Sequence, residues 1–362
     1  MKFRSKMAFL AIAVAASVGL AGCAGDVSPG SEGETLTIAA LLDVSSFDPS
    51  LPVATQLVQY WQPVYDSLLR RTPDGELVPM LATEWSYDDT RTELTLTLRD
   101  DVHFSDGNVL DAAAVKENLD RLRENTPSSA LTMETVEAPD PTTVIIHLSA
   151  PDPALLDALG GNLAGYIASP AAIAAGTIAT DPVGSGPYTL DSSSSVAGST
   201  YTFVKRDGYW DPSLQKYAKI VVKPITDSTA TLNALLTGQV DAALLTAKTA
   251  AQAESAGFTR YAYPIDWEGL IIYDREGTMV SALGDVRVRQ AINYAIDKQA
   301  ILDQVRQGYG TVTSQVFAQG SDGFDSRLDN AYPYDPQKAM QLLSEAGYGD
   351  GFTISMPTVA GL

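Results

Sequence analysis

The chain has 362 residues, 45% hydrophobic and 19% charged, which excludes a disordered or collagen-like polymer and leaves room for two or three domains with a large buried core. A formal net charge of −20 argues against a nucleic-acid partner, because phosphate binding needs a cationic face that releases counterions. One cysteine rules out a disulfide framework or Cys-rich metal site, and two histidines, His103 and His147, argue against a His-based zinc centre or a Ser-His relay.

Lys2, Arg4 and Lys6 precede an apolar run over 7–20, shorter than the ~20 residues a spanning helix needs. The pattern is that of an export signal. The run ends in Leu20-Ala21-Gly22-Cys23, which resembles a bacterial lipobox and makes Cys23, the sole cysteine, the lipidated residue after removal of a signal peptide over 1–22. Two acyl chains, at roughly 0.8 kcal/mol per buried methylene, suffice for a stable anchor. Residues 23–33 lack apolar periodicity and read as a flexible tether. The expected location is the extracytoplasmic face of the cell membrane, in a periplasm or at the cell surface.

Beyond the tether, strands and helices alternate, so the class is α/β or α+β. Residues 36–42 suit a buried strand. Leu94, Leu96 and Leu98 alternate with threonine, and Val144, Ile146 and Leu148 alternate likewise, as half-buried strands do. Asp111 is placed to cap a helix with Val115, Leu119 and Leu122 on one face. The Ser-rich stretch 192–195 reads as a hairpin turn ahead of a strand at 201–204. A further strand at 220–222 is stopped by Pro224. Asp227 caps a helix ended by Gly238, and 240–245 returns as a strand. Asp285 opens a helix with Val288, Ala291, Ile292, Ala295 and Ile296 on one stripe; Asp297 caps the next, carrying Ile301, Leu302 and Val305. Asp335-Pro336 starts a last helix with Ala339, Leu342, Leu343 and Ala346 inside.

No convincing active site emerges. His103 lies near Ser105 and Asp106, but a relay needs three side chains converging in space, and a turn histidine is the plainer reading. His147 alternates out of a strand and reads as solvated. Gly184-Ser185-Gly186-Pro187 lacks the lysine of a phosphate loop and reads as a tight turn needing positive φ. Trp85 and Trp210 read as packing residues. Arg287 and Arg289, beside Asp285, read as ion-pair partners worth ~0–1 kcal/mol if exposed.

Segments from Leu36 onward resemble the family 5 extracellular solute-binding proteins of ABC importers, the peptide and nickel class. Tyr65-Asp66-Ser67-Leu68-Leu69 is followed by Gly75-Glu76-Leu77-Val78-Pro79 and Leu81-Ala82-Thr83-Glu84-Trp85. Leu98-Arg99-Asp100-Asp101-Val102-His103-Phe104-Ser105-Asp106-Gly107 looks like the family's best-known stretch. Gly184-Ser185-Gly186-Pro187-Tyr188, Tyr209-Trp210, Gly238-Gln239-Val240-Asp241, the run from Arg287 to Asp297, and Tyr334-Asp335-Pro336 follow in the family's order.

The resemblance implies a two-lobed periplasmic-binding-protein-like α/β fold of type II, closing on a ligand, with an extra subdomain in the first lobe. Carried over, 34–60 and 167–263 form the first-lobe core, 61–166 the inserted subdomain, and 264–362 the start of the second lobe. The implied function is an extracytoplasmic receptor, monomeric and without cofactor or metal, that captures oligopeptides or dipeptides and delivers them to ABC permease subunits without chemistry of its own. Nickel chelates, haem or opines are alternative cargoes on the same fold; a lipid-anchored cell-surface hydrolase is the alternative from another class. The implied ligand contacts are Leu51 and Val53 in the loop after the first strand, and Asp266, Trp267, Glu268 and Leu270 at the crossing into the second lobe. Trp267 either walls a side-chain pocket or packs in the hinge, and Glu268 or Asp266 faces a cationic or amine group. The family's Trp-x-x-Asp-Tyr segment, whose aspartate holds the ligand amine in peptide binders, has no match before Leu362. The amine clamp is therefore unassigned, and an incomplete second lobe is expected.

Overall fold

The computed structural model describes residues 34–355 apart from 52–56, 74, 127–131, 162–163, 263–266, 318 and 320–322. The signal segment, Cys23, the tether over 23–33, Val53 and Asp266 lie outside the described residues. In chain order the elements are β1 (Thr35–Ala40), α1 (Val58–Trp61), β2 (Leu69–Arg71), β3 (Leu77–Pro79), β4 (Ala82–Tyr87), β5 (Glu93–Leu98), α2 (Ala112–Asn125), β6 (Met133–Asp140), β7 (Thr143–Leu148), α3 (Leu155–Gly160) and α4 (Pro170–Ala175). They continue with β8 (Tyr188–Leu190), β9 (Tyr201–Lys205), β10 (Lys219–Pro224), α5 (Ser228–Leu236), β11 (Ala242–Ala243), α6 (Ala247–Ser255), α7 (Val286–Ala295), α8 (Lys298–Gln304) and α9 (Pro336–Glu345).

A five-stranded mixed sheet has the order β11-β1-β10-β9-β8, with β1 parallel to both neighbours. A four-stranded sheet, order β4-β5-β7-β6, lies between β1 and β8 in sequence and is antiparallel throughout. Its period-2 pattern works as read. Leu94 faces Ile146 and Leu96 faces Val144 across the β5–β7 ladder, and all four are fully buried. Val115, Leu119 and Leu122 of α2 share their core, and each such side chain contributes about 1.5–3 kcal/mol by leaving water. Asp111 caps α2, its Oδ1 accepting from the Ala114 N–H at 2.9 Å. Inside the helix, buried Asn118 donates to the Ala114 and Ala168 carbonyls and accepts from the Ala168 N–H. That pairing meets the demand a buried amide makes and ties α2 to the chain entering α4.

Past residue 267 the regular elements of the described chain are helices joined by long irregular stretches. α7 and α9 pack through Val288, Ala291, Ala339 and Leu342. Asp285, Asp297 and Asp335 each accept from a backbone N–H in the first turn of the helix they precede. Ile301 and Val305, read as inward-facing, are 47% and 60% exposed, and Ala295 is exposed as well.

Three further expectations need correction. The strand over 240–245 shrinks to Ala242–Ala243; at its start Asp241 Oδ2 takes the Thr37 N–H at 2.7 Å, occupying a donor that an earlier start of the ladder would use. Gly184 and Gly186 do not sit at positive φ. They are needed for close approach: a Cβ would fall 2.2 Å from the Val64 carbonyl oxygen at Gly184, and 2.5 Å from the Val64 carbonyl carbon at Gly186. His147 is half-buried between two carboxylates, 3.5 Å from Glu93 and 3.4 Å from Glu137, with Nε2 shielded from water.

Candidate functional site

The loop after β1 is locked in place over 43–51. Phe47 is buried edge-on to Tyr201 and Phe203 at centroid distances of 6.1 and 6.4 Å. Its N–H donates to the Ala179 carbonyl, and its carbonyl accepts from the Tyr65 hydroxyl at 2.9 Å. Asp43 Oδ1 accepts from the Tyr201 hydroxyl at 2.7 Å. Asp48 accepts a forked pair from Arg121 of α2, at 2.8 and 3.3 Å, together with the Ser50 N–H and hydroxyl. Burial pushes the Asp48 carboxyl up, but the hydrogen bonds from Arg121 and Ser50 outweigh it and hold the group below the usual carboxylate range. Leu51 then emerges 40% exposed.

The other implied contact segment is held by different partners. Trp267 is half-buried, and its indole lies over Gly269, where a Cβ would meet Cη2 at 2.1 Å. Glu268 is exposed, and its carboxylate is ion-paired with Arg306. Leu270 is 49% exposed. Nearby, Glu254 at the end of α6 accepts from Arg260 Nε at 2.6 Å and from the Tyr309 hydroxyl at 2.9 Å, while Arg260 stacks over the Tyr309 ring. The turn presenting Arg306 and Tyr309 carries two residues in the left-handed region, Gln307 and Gly308.

Sequence reasoning missed a buried hub between the two sheets. Asp66 accepts from the Tyr209 hydroxyl at 2.9 Å and from Trp210 Nε1 at 2.8 Å. Burial pushes its carboxyl up to about 6, against those hydrogen bonds. Arg99 lies over the Trp210 ring at 4.1 Å. Arg206 donates to the carbonyls of Gly184 and His103. Asp106 bonds the Ser169 hydroxyl and the Asn108 N–H, so its partners are not those of a Ser105-His103 relay. Among the described residues, no group of three or more His, Cys, Asp or Glu could hold a metal ion, and no helix is long and apolar enough to cross a membrane.

The family described as bacterial extracellular solute-binding proteins, family 5 Middle, matches residues 76–360. The glutathione-binding protein GsiB of Salmonella paratyphi A is 30% identical over 319 residues, covering 81% of this chain and 57% of GsiB. The chain thus spans little more than half the length of the curated relatives it matches. Among solved structures, NikA from Brucella suis in complex with Fe(III)-EDTA aligns with a TM-score of 0.69 at 27% identity, over 87% of this chain and 64% of NikA. DppA from Helicobacter pylori in complex with the peptide STSA aligns with a TM-score of 0.69 at 23% identity, over 88% of this chain and 67% of DppA, a likeness of fold.

Proposed function

We propose that this chain, which belongs to the bacterial extracellular solute-binding proteins of family 5, is the receptor of an ABC importer that captures a small peptide or peptide-like solute and hands it unchanged to membrane permease subunits. The match over 76–360 carries this reading. The likeness of fold to two-lobed periplasmic binding proteins supports it, since two such lobes can close on a solute. We divide the chain into a first-lobe core at 34–60 and 167–263, an inserted subdomain at 61–166 and second-lobe sequence from 264. The site lies between the loop ending at Leu51 and the crossing at Trp267 and Leu270. There an extended peptide satisfies its backbone groups much as an added strand would. Since Glu268 is ion-paired with Arg306, a ligand amine displaces that guanidinium or uses another acid. The receptor is monomeric and held extracytoplasmically by acyl chains on Cys23.

Peptide-like cargo is favoured because GsiB binds glutathione and the solved DppA complex holds the peptide STSA. The test is thermal unfolding of the chain with glutathione and with a mixture of tri- and tetrapeptides, followed by mass spectrometry of the recovered solute. A bound solute at 100 times its Kd adds about 2.7 kcal/mol and is recovered intact. Conversion of the solute, or no stabilisation by either probe, overturns the peptide-receptor reading. Trp267→Ala is expected to weaken binding while leaving the fold intact. Unchanged affinity would leave the indole only its packing role over Gly269.

A further inference from the structure

We propose that Arg121, Asn125 and Thr126, at the C-terminal end of α2, are positioning residues for the solute site. They brace the loop after β1 from the four-stranded sheet's side of the molecule, so the inserted subdomain sets the geometry of a loop it does not itself contain. The inference deepens the receptor reading and rests on it.

Arg121 and Asn125 stand one turn apart on α2 and so share a helix face, next to the buried Thr126. Each reaches the same short stretch of chain more than seventy residues earlier. Arg121 forks onto Asp48, Asn125 Nδ2 donates to the Ser50 hydroxyl at 2.8 Å, and Thr126 Oγ1 donates to the Ser50 carbonyl at 2.8 Å. Ser50 in turn donates its N–H and hydroxyl to Asp48, which closes the set around one carboxylate. Asp48, Ser50 and Thr126 are all buried, so the Ser50–Asp48 and Thr126–Ser50 bonds are shielded from competing water, while the Arg121 fork and the Asn125 bond are part-buried. A forked guanidinium–carboxylate pair fixes direction as well as distance. An adjoining face of α2 is seated by Val115, Leu119 and Leu122 in the core of the four-stranded sheet. A shift of that sheet unit therefore moves Ser50, and Leu51 immediately after it. Phe47, the residue before Asp48, is held by the Ala179 carbonyl and by the hydroxyl of Tyr65, whose ring packs in the core of the five-stranded sheet. Leu51 thus leaves a point pinned from both sides, which lowers the ordering cost when a solute lands there.

The experiment follows amide hydrogen exchange in the free chain, residue by residue over 47–51, with Val144 and Ile146 of β7 as internal controls. Arg121→Ala is expected to speed exchange at Ser50 and Leu51 at least tenfold and to leave the β7 amides unchanged. Asn125→Ala gives a smaller change in the same direction, and Arg121→Lys, which keeps the charge but not the fork, falls between. A pH profile separates positioning from bulk. The groups facing Asp48 are Arg121 and, through the field of its phenol, Tyr65. Protection at Ser50 is present when Asp48 is ionised and is lost as pH falls through its depressed value; in Arg121→Ala that loss begins at higher pH. Unchanged exchange at Ser50 and Leu51 in both alanine variants overturns the brace. So does equal acceleration in the loop and β7, which marks a merely structural residue. No solute enters this measurement, so its failure removes the brace alone. A protected loop in a protein that binds neither glutathione nor the peptide mixture removes the receptor reading instead.

Discussion

Asp66 gives the sharpest quantitative test of the seam. Its carboxyl has a model-peptide value of 3.8 and is pushed up to about 6 by burial, despite donors from Trp210 and Tyr209. A raised carboxyl favours the protonated folded state. Its stability contribution is therefore complete below 3.8 and is lost as pH rises through about 6. Each tenfold change in proton affinity is worth ~1.4 kcal/mol, so the whole effect is about 3 kcal/mol, most of it falling between pH 4 and pH 7. Other carboxylates slope the opposite way: Asp48 and Asp106 are held below the usual range by hydrogen bonds, and Asp274 and Asp285 lie at about 2. A raw pH profile therefore mixes signs. The Asp66→Asn variant isolates the term, because both proteins share every other group. The amide oxygen still accepts from one donor, and losing the other costs about 1 kcal/mol at every pH. The assay is urea unfolding at a series of pH values, read by tryptophan emission and far-UV dichroism, with coincident transitions required. Relative to the variant, the wild type should lose about 2–3 kcal/mol from pH 4 to pH 7. Parallel curves would show that Asp66 does not titrate in this window and would refute the buried-charge reasoning.

Two glycines separate close approach from backbone conformation. Gly186→Ala puts a Cβ 2.5 Å from the Val64 carbonyl carbon, where backbone must move, so a loss of several kcal/mol (on the order of 3, as for strained core insertions) is expected. Gly107→Ala meets nothing within 4 Å and suffers only its φ of +88°, roughly 1–2 kcal/mol. Equal denaturant midpoints for the two variants would contradict that ranking. For the anchor, growth with a radiolabelled fatty acid should label the wild type and not Cys23→Ala, which should leave the membrane fraction; label retained by the variant would dismiss Cys23 as the acceptor.

Local signals in the sequence were the readable ones. The alternation in β5 and β7 predicts the ladder that places Leu94 against Ile146. Asp111, Asp227, Asp285, Asp297 and Asp335 all cap the helices assigned to them, because a cap bonds two or three residues on and leaves a short-range signature. The polar pairs of the inter-sheet hub and of the proposed site are long-range. Asp66 finds donors 143 and 144 residues away, Asp48 finds Arg121 at 73, and Glu268 finds Arg306 at 38. No periodicity announces such partners, since they meet only after both sheets are built. The shortened β11 fails for a related reason: Asp241 looks like an ordinary strand-edge residue until its carboxylate is seen on the Thr37 N–H.

That division explains why the resemblance conveys family and fold more firmly than cargo. Three of the pieces that carry the resemblance, Tyr65-Asp66, Gly184-Ser185-Gly186 and Tyr209-Trp210, converge on one seam. Glycine backbones lie against Val64 there, and the aromatic pair donates to Asp66. In this chain those pieces thus serve the docking of the two sheets, a structural demand separate from what is carried. Leu51, Trp267 and Leu270 lie on exposed or half-buried connections, where side chains can change without disturbing that docking. On the proposed reading, solute preference would rest on these segments, which the docking pattern leaves free, and the brace from α2 would hold the loop ending at Leu51 against the buried sheet unit.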